Sequence, residues 1–190
     1  MPVKLTKGQG VNLKKEAPNL RRVLIGLGWD PVKSLFSLSE MDIDASVICI
    51  DENGRCESVV YYGNLNHHSG SIKHYGDNLT GEGDGDDEQI EIVLDRVPIY
   101  IKKLAIIINI YSAYSRRQHF GKVKNCFVHA SDIDTGKELV RYDIESNFEH
   151  KTGIFVAEIY RYNNEWKFKA IGEGVRVANI NEMVAMKCTK

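Results

Sequence analysis

The sequence from Ile154 to Ile171 is Ile-Phe-Val-Ala-Glu-Ile-Tyr-Arg-Tyr-Asn-Asn-Glu-Trp-Lys-Phe-Lys-Ala-Ile, two strand-like segments joined at Asn163-Asn164. In the second segment apolar residues alternate with Lys167 and Lys169, which is typical of a strand with one buried and one wet face. Asparagine tolerates the positive φ angles of a two-residue hairpin turn. This stretch therefore predicts a β-hairpin with one face in a protein core.

Short segments of the same kind recur along the chain, while sustained helical periodicity is nearly absent. In the predicted strand Arg22–Trp29, the glycines Gly26 and Gly28 predict a site where another backbone or a loop approaches closely. Helix is expected only around Val97–Lys103 and Asn179–Met186. The pattern predicts an all-β fold, a two-sheet β-sandwich with minor short helices. The other predicted strands are Arg22–Trp29, Ile43–Ile50, Glu57–Tyr62, Gln89–Leu94, the apolar run from Lys102-Lys103 through Ile110, Asn125–Ala130 and Glu138–Ile144.

Length, charge and cysteine usage limit the kinds of protein that this chain can be. The chain has 190 residues, enough for one well-cored domain, so we expect a single domain over residues 1–190. Lys and Arg number 25 against 26 Asp and Glu, so the total charge gives no reason to expect nucleic acid as a partner. The four cysteines have no CxxC spacing and Met1–Lys7 has no apolar signal core. These features predict reduced thiols in a cytoplasmic protein.

Acidic residues concentrate in one segment, Asp77–Glu88, which contains six carboxylates and three glycines without a basic residue. Such a cluster repels itself unless a cation binds, and glycines let the backbone turn several oxygens toward one point. Hard oxygen donors favour calcium. Magnesium or manganese is the next expected ion, and zinc or copper is disfavoured. The candidate ligands are Asp77, Asn78, Gly81, Gly83, Asp84, Asp86, Asp87 and Glu88.

Two alternatives bear on this segment. Counted from Asp77, the EF-hand pattern fails, because Leu79 and Gly81 stand where ligating Asp or Asn belong and Glu82 replaces the turn glycine. The segment is therefore not a helix-loop-helix calcium site. The remaining alternative is a solvated surface turn built from Gly and Asp.

A second acidic pair, Asp42 and Asp44, lies at the start of a predicted strand. Residues two apart on a strand point to the same face, so the two carboxylates repel unless a cation lies opposite. The pair would complete the coordination sphere of the acidic loop if both lie at the same end of the sandwich. An exposed strand start without a ligand is the alternative.

Several motifs, taken together and in order, resemble one known family. They are Leu5-Thr6-Lys7-Gly8, Leu24–Asp30, Asp42–Ser46, Gly76–Glu88, Arg116–Gly121 and Arg141-Tyr142-Asp143. Over roughly Met1 to Gly174 the chain resembles the TerD family of tellurite-resistance and general stress proteins. The resemblance implies a cytoplasmic bacterial β-sandwich that binds calcium, as two ions, through the acidic loop and the Asp-x-Asp strand.

Two functions remain open. The favoured one is a non-enzymatic calcium-binding stress-response module, whose ions shape a surface for a protein partner or for the inner face of the membrane. The alternative is a metal-dependent hydrolase in which two ions clamp a phosphoryl or acyl oxygen, but no evident base accompanies the loop.

The remaining candidate functional residues give less specific predictions. His67-His68, with His74, would suit a transition metal, yet adjacent histidines in a polar loop are more often solvated. Cys49 and Cys126 lie in apolar strands and are expected to be inert thiols. Arg116-Arg117 is a candidate contact for phosphate or a partner.

Overall fold

The computed structural model describes residues 1–30, 41–76, 85–144 and 148–189. The strands are β1 (Val3–Leu5), β2 (Gly10–Asn12), β3 (Arg22–Asp30), β4 (Ile43–Asp51), β5 (Cys56–Val60), β6 (Ile72–His74), β7 (Glu88–Val93), β8 (Ile101–Ile110), β9 (Lys124–Asp132), β10 (Glu138–Asp143), β11 (Gly153–Tyr162) and β12 (Glu165–Val175). The α-helices are α1 (Leu13–Glu16), α2 (Ala113–Arg116) and α3 (Ile180–Lys187), and two 3₁₀ turns span Leu94–Arg96 and Phe120–Lys122. None of the helices in these ranges is long and apolar enough to cross a membrane.

The strands form two six-stranded sheets. The first sheet has the order β1-β10-β9-β3-β7-β6 and the second has the order β2-β12-β11-β8-β4-β5. One apolar cluster fills the space between them, with Ile25 and Leu27 from the first sheet and Leu104 and Ile106 from the second at 0% exposure. The fold is therefore an all-β two-sheet sandwich with few short helices, as predicted.

The β11–β12 hairpin confirms the strongest sequence prediction. Tyr162 pairs with Glu165, so the loop holds only Asn163 and Asn164, whose φ angles of 51° and 60° match a primed hairpin turn. Beyond the hairpin, α3 lies on the outer face of the second sheet. Met183 of this helix is fully buried in a small apolar cluster with Ile107 and Phe155.

One predicted element is wrong. The segment Val97–Lys103 is not a helix, because Ile101–Ile110 forms a strand that pairs with β4 on one side and β11 on the other. Two flanking ladders satisfy this backbone along its length, and that tertiary pairing outweighs the local helical tendency. The C-terminal helix predicted at Asn179–Met186 is confirmed as α3.

Several predicted ligands meet at one end of the sandwich, which we call the acidic pole. It comprises the end of β3 at Asp30, the start of β4 with Asp42 and Asp44, and the start of β7 with residues 86–88. The pole is held together across the two sheets by His74, whose Nε2 lies 3.1 Å from the carbonyl oxygen of Ala45 in β4.

Candidate metal centre

The structure describes half of the predicted ligands. Asp42, Asp44, Asp86, Asp87 and Glu88 lie in the described ranges, all at the acidic pole. Five further predicted ligands lie outside the described residues, namely Asp77, Asn78, Gly81, Gly83 and Asp84. For those five the assignment stays a prediction.

Asp86 lies over the outer face of the first sheet, in a space that glycine leaves open. Its Oδ1 is 2.7 Å from Nε2 of His129, and its Oδ2 accepts a hydrogen bond of 3.1 Å from Gln89. A Cβ built on Gly26 would collide with Oδ2 of Asp86 and Nε2 of His129, and one on Gly28 would lie 3.1 Å from the carbonyl oxygen of Gly85. The sequence prediction of a close approach at both glycines is confirmed.

Replacement of Gly26 by alanine should therefore displace Asp86 and weaken the pole. Overpacking a well-filled site costs about 1–3 kcal/mol, and we expect a loss of stability in that range together with weaker calcium binding. Denaturant unfolding and calcium titration would measure both effects. Gln89→Ala is the matched control, because it removes one hydrogen bond from the same carboxylate without adding volume. Unchanged stability and affinity in Gly26→Ala would contradict this account of the glycine.

Asp87 is tied to the end of β3 by two hydrogen bonds. The Trp29 amide donates to Oδ2 at 2.7 Å, and the Asp87 amide donates to the Leu27 carbonyl oxygen at 2.8 Å. Burial raises the pKa of the Asp87 carboxyl, and neighbouring negative charges raise it further, those of Asp86, Glu88 and Asp30. The charged form of Asp87 is therefore disfavoured here, and a cation beside it would relieve that cost.

Glu88 turns inward, where it contacts His74. Its Oε2 lies 2.9 Å from Nε2 of His74, and both side chains are almost fully buried. The Gly76 amide donates to Nδ1 of His74, so the neutral ring carries its proton on Nε2, toward Glu88 and Ala45. In the sequence, His74 is only a weak candidate for a transition metal beside His67-His68. Its role in the described structure is to connect β7 with β4.

Asp44 is a buried carboxylate on the outer face of the second sheet. It is 3% exposed, and since Ile43 and Ala45 belong to the core between the sheets, alternation turns Asp44 outward. Asn109 lies directly opposite it in the β4–β8 ladder. Oδ1 of Asn109 and Oγ of Ser46 are buried and have no hydrogen-bond partner among the described residues. A carboxylate beside orphaned neutral oxygens is a donor set that suits a hard cation.

Asp42 connects this face to an aromatic and basic rim, which consists of Tyr62, Tyr111 and Arg116. Its Oδ2 lies 3.9 Å from the Arg116 guanidinium, which also lies over the Tyr111 ring at 5.6 Å. The rings of Tyr62 and Tyr111 contact edge to face at 6.3 Å, and both are more than 40% exposed. Burial raises the pKa of Tyr62, and the negative charge of Asp44 raises it further.

The two described parts of the site face in opposite directions. Asp86 lies over Gly26 on the outer side of the first sheet, whereas Asp44 lies on the outer side of the second. Sharing of one ion between these two carboxylates is therefore not favoured. If both carboxylates bind metal, they would therefore belong to different ion positions. A carboxylate offers about four lone pairs, more than the hydrogen bonds from described residues to Asp86 and Asp87 use.

Arg117, which the sequence singled out for phosphate or a partner, lines a shallow groove beside this rim. The groove encloses about 300 Å³ and also contains Tyr114, His119, His150 and Arg176. The Arg176 guanidinium lies 5.6 Å from the centre of the Tyr114 ring. The rim and the groove together form a basic and aromatic surface next to the acidic pole.

Comparison with known proteins agrees with this architecture. The family model described as TerD domain matches residues 1–186. Stress response protein SCP2 of Bacillus subtilis (strain 168) is 41% identical over 197 residues, covering 97% of this chain and 98% of that protein. Tellurium resistance protein TerD of Serratia marcescens is 41% identical over 177 residues, covering 92% of this chain and 91% of that one.

A solved structure supports the fold. The crystal structure of a homologue of telluride resistance protein (TerD) from Streptomyces coelicolor A3(2) superimposes with a TM-score of 0.75. The match covers 90% of this chain and 100% of that one, at 23% sequence identity. At that identity the likeness concerns the fold alone.

Proposed function

The chain belongs to the TerD domain family, and from that premise we propose that it is a calcium-binding protein of the bacterial stress response, acting in the cytoplasm by binding rather than by catalysis. The observation that most supports metal binding is the buried Asp44 carboxylate opposite Asn109, whose Oδ1 has no hydrogen-bond partner in the part of the chain that the structure describes. The relatives named for tellurium resistance and stress response support the physiological setting. A buried amide oxygen is costly to leave without a donor or a cation, and the neighbouring carboxylate adds a negative charge that favours the cation.

We place two ions at the acidic pole. One would be held by the strand pair Asp42 and Asp44 with the Asn109 amide oxygen, and the other by Asp86, Asp87 and the acidic loop. Calcium accepts six to eight oxygen ligands in flexible geometry, whereas magnesium requires a tighter octahedron and keeps its water. Each bound ion would neutralise repelling carboxylates and hold the chain segments of the pole in one arrangement.

Calorimetric titration with calcium in excess magnesium tests the proposal. We expect binding heat with a stoichiometry of two ions per chain, because the mixed carboxylate and amide donors favour the larger ion. The control is the same titration of Asp95→Asn, an exposed carboxylate at the opposite end of the sandwich that pairs with Arg21. Absence of calcium heat in the wild-type protein would refute the proposal.

A double-substitution experiment separates one shared ion from two. Asp44→Asn and Asp86→Asn should each weaken calcium binding strongly at one site, and their effects on the binding free energy should add in the double variant. Independent sites more than about 7–10 Å apart usually add within roughly 0.3–0.5 kcal/mol. A large departure from additivity would show that the two carboxylates share an ion. Wild-type stoichiometry in Asp44→Asn would remove the strand pair from the site.

We further propose that the ordered pole presents its rim to a protein partner. Tyrosine and arginine dominate the energetically important centres of protein interfaces, and the rim carries both types in exposed positions at Tyr62, Tyr111 and Arg116. A hydrolase would instead need an accessible base beside the ions. His74 does not meet that need, because its side chain is 0% exposed.

A further inference from the structure

Three side chains of different metal-ligand types, a thiol, an imidazole and a carboxylate, converge at the edge of the sandwich between β5 and β6. Ligand atoms of Cys49, Glu57 and His67 all lie within 4.8 Å of one another. Cys49 and His67 are 0% and 2% exposed, and Glu57 is partly exposed. They come from β4, from a bulge in β5 and from the loop that leads to β6, so only the folded chain brings them together.

Glu57 holds two imidazoles, one on each oxygen. Its Oε2 lies 2.9 Å from Nε2 of His67, and its Oε1 lies 3.5 Å from Nδ1 of His68. The sequence predicted both histidines to be solvated. That prediction is wrong for His67, whose side chain is fully buried, whereas the His68 side chain is 63% exposed. The buried cluster thus has one solvent-facing side, formed by Glu57 and His68.

The second ring nitrogen of His67 is fixed by Ser69. The Ser69 amide donates to Nδ1 at 3.1 Å, so the neutral ring carries its proton on Nε2, facing Glu57. Oγ of Ser69 lies 2.7 Å from the same Nδ1 and hydrogen-bonds to the Ser71 hydroxyl. If a cation replaces the Nε2 proton, Nδ1 becomes protonated, so the Ser69 amide loses this acceptor and Nδ1–H donates to the Ser69 hydroxyl instead. Metal-bound histidines commonly make such a hydrogen bond, which fixes the ring orientation.

We propose that Cys49 Sγ, the Glu57 carboxylate and His67 Nε2 form a binding site for a zinc-class divalent ion, with His68 as the fourth ligand. Thiolate, imidazole and carboxylate are the ligands that Zn²⁺ takes in tetrahedral sites, whereas calcium takes oxygen alone. Ligands on one tetrahedral ion, at bond lengths of about 2.0–2.3 Å, lie about 3.3–3.8 Å apart. The three atoms therefore need to move by about 1 Å or less from their arrangement here.

Binding at this site releases one proton and leaves the acidic pole untouched. The Cys49 thiol loses its proton to solvent as the sulfur–metal bond forms, and the His67 proton passes from Nε2 to Nδ1. Burial raises the pKa of the Cys49 thiol to about 12, so without metal this group is a neutral thiol. Metal affinity should consequently increase with pH. The site is distinct from the calcium ligands in position and in donor chemistry.

Cobalt(II) titration of the metal-free full chain, with calcium present to fill the acidic pole, tests the proposal directly. We expect a sulfur-to-cobalt charge-transfer band in the near ultraviolet, one cobalt per chain, and bleaching of the band when Zn²⁺ displaces cobalt. Cys49→Ser and His67→Gln should abolish the band. His68→Gln should weaken cobalt binding while the band persists.

The other thiols of the chain require control variants. Cys56 and Cys188 interact with each other near the C-terminal end of α3, and together they would bind cobalt through sulfur. The double variant Cys56→Ser/Cys188→Ser must therefore keep the band if Cys49 is the ligand. Cys126→Ser, which removes another shielded thiol, must keep it too.

In the cobalt titration, two results would overturn the proposal: a wild-type protein without the band, or a band that survives in Cys49→Ser. Because that variant is at a fully buried position, its folding is checked by circular dichroism. X-ray absorption of the zinc-loaded wild-type protein provides a measurement that needs no variant. One sulfur at about 2.3 Å, with nitrogen and oxygen at about 2.0–2.2 Å, supports the site, and a sulfur-free shell or a shell of two or more sulfurs refutes it.

Discussion

Each bound calcium ion is expected to raise the melting temperature of this protein by about 5–11 °C when the free ion is a hundredfold above the dissociation constant of its site. An ion that binds only the folded state adds about 2.7 kcal/mol under those conditions, and for 150–250 residues each kcal/mol shifts the midpoint by about 2–4 °C. The physical source is the relief of repulsion among the carboxylates of residues 77–88 and the pair Asp42 and Asp44.

Thermal melts in calcium and in a calcium-selective chelator with equal magnesium would measure the shift. Ionic strength must be matched, because general screening also weakens repulsion between exposed charges. Asp44→Asn should show a smaller calcium shift than the wild-type protein, since it removes a ligand of one proposed ion. Superimposable wild-type melts at saturating calcium would contradict a folded-state site at the acidic pole.

Replacement of Phe168 by alanine is expected to lower the free energy of unfolding by about 3–5 kcal/mol. Phe168 is fully buried between the two sheets, in register with Ile159 on β11 and Val11 on β2. Loss of the ring removes buried apolar surface and leaves a cavity that a β-sandwich core fills poorly. Equilibrium unfolding in urea or guanidinium would measure the change.

Lys169→Ala is the matched control for this substitution, because it lies next to Phe168 on the same strand but on the half-buried opposite face. A surface change of this kind usually alters stability by no more than about 0.5 kcal/mol. Calcium stoichiometry should be unchanged in the Phe168→Ala protein, since the residue lies away from the acidic pole. Equal destabilisation by both substitutions would contradict the assignment of buried and wet faces on β12.

Some secondary-structure elements could be predicted from the sequence, and others could not. The β11–β12 hairpin was predictable because alternation and the Asn163-Asn164 turn are local signals. The strands β1, β2 and β6 were not, since each has only three residues, too few for a visible alternation, and β1 and β2 also pair with segments far along the chain, β10 and β12. The segment Val97–Lys103 was assigned to helix because its local pattern contains no information about the two neighbouring strands.

The candidate sites divide in the same way. Residue type alone predicts the chemistry of the donors at the acidic pole, because it decides whether a ligand is hard or soft, and Gly26 and Gly28 alone predict room beside β3. The folded chain is needed to show that Asp44 and Asp86 face opposite sides of the sandwich and that Cys49, Glu57 and His67 meet. His67 illustrates the reason: its polar neighbours in sequence predict exposure, but burial depends on which distant strands close over the loop, and that is a property of the whole chain.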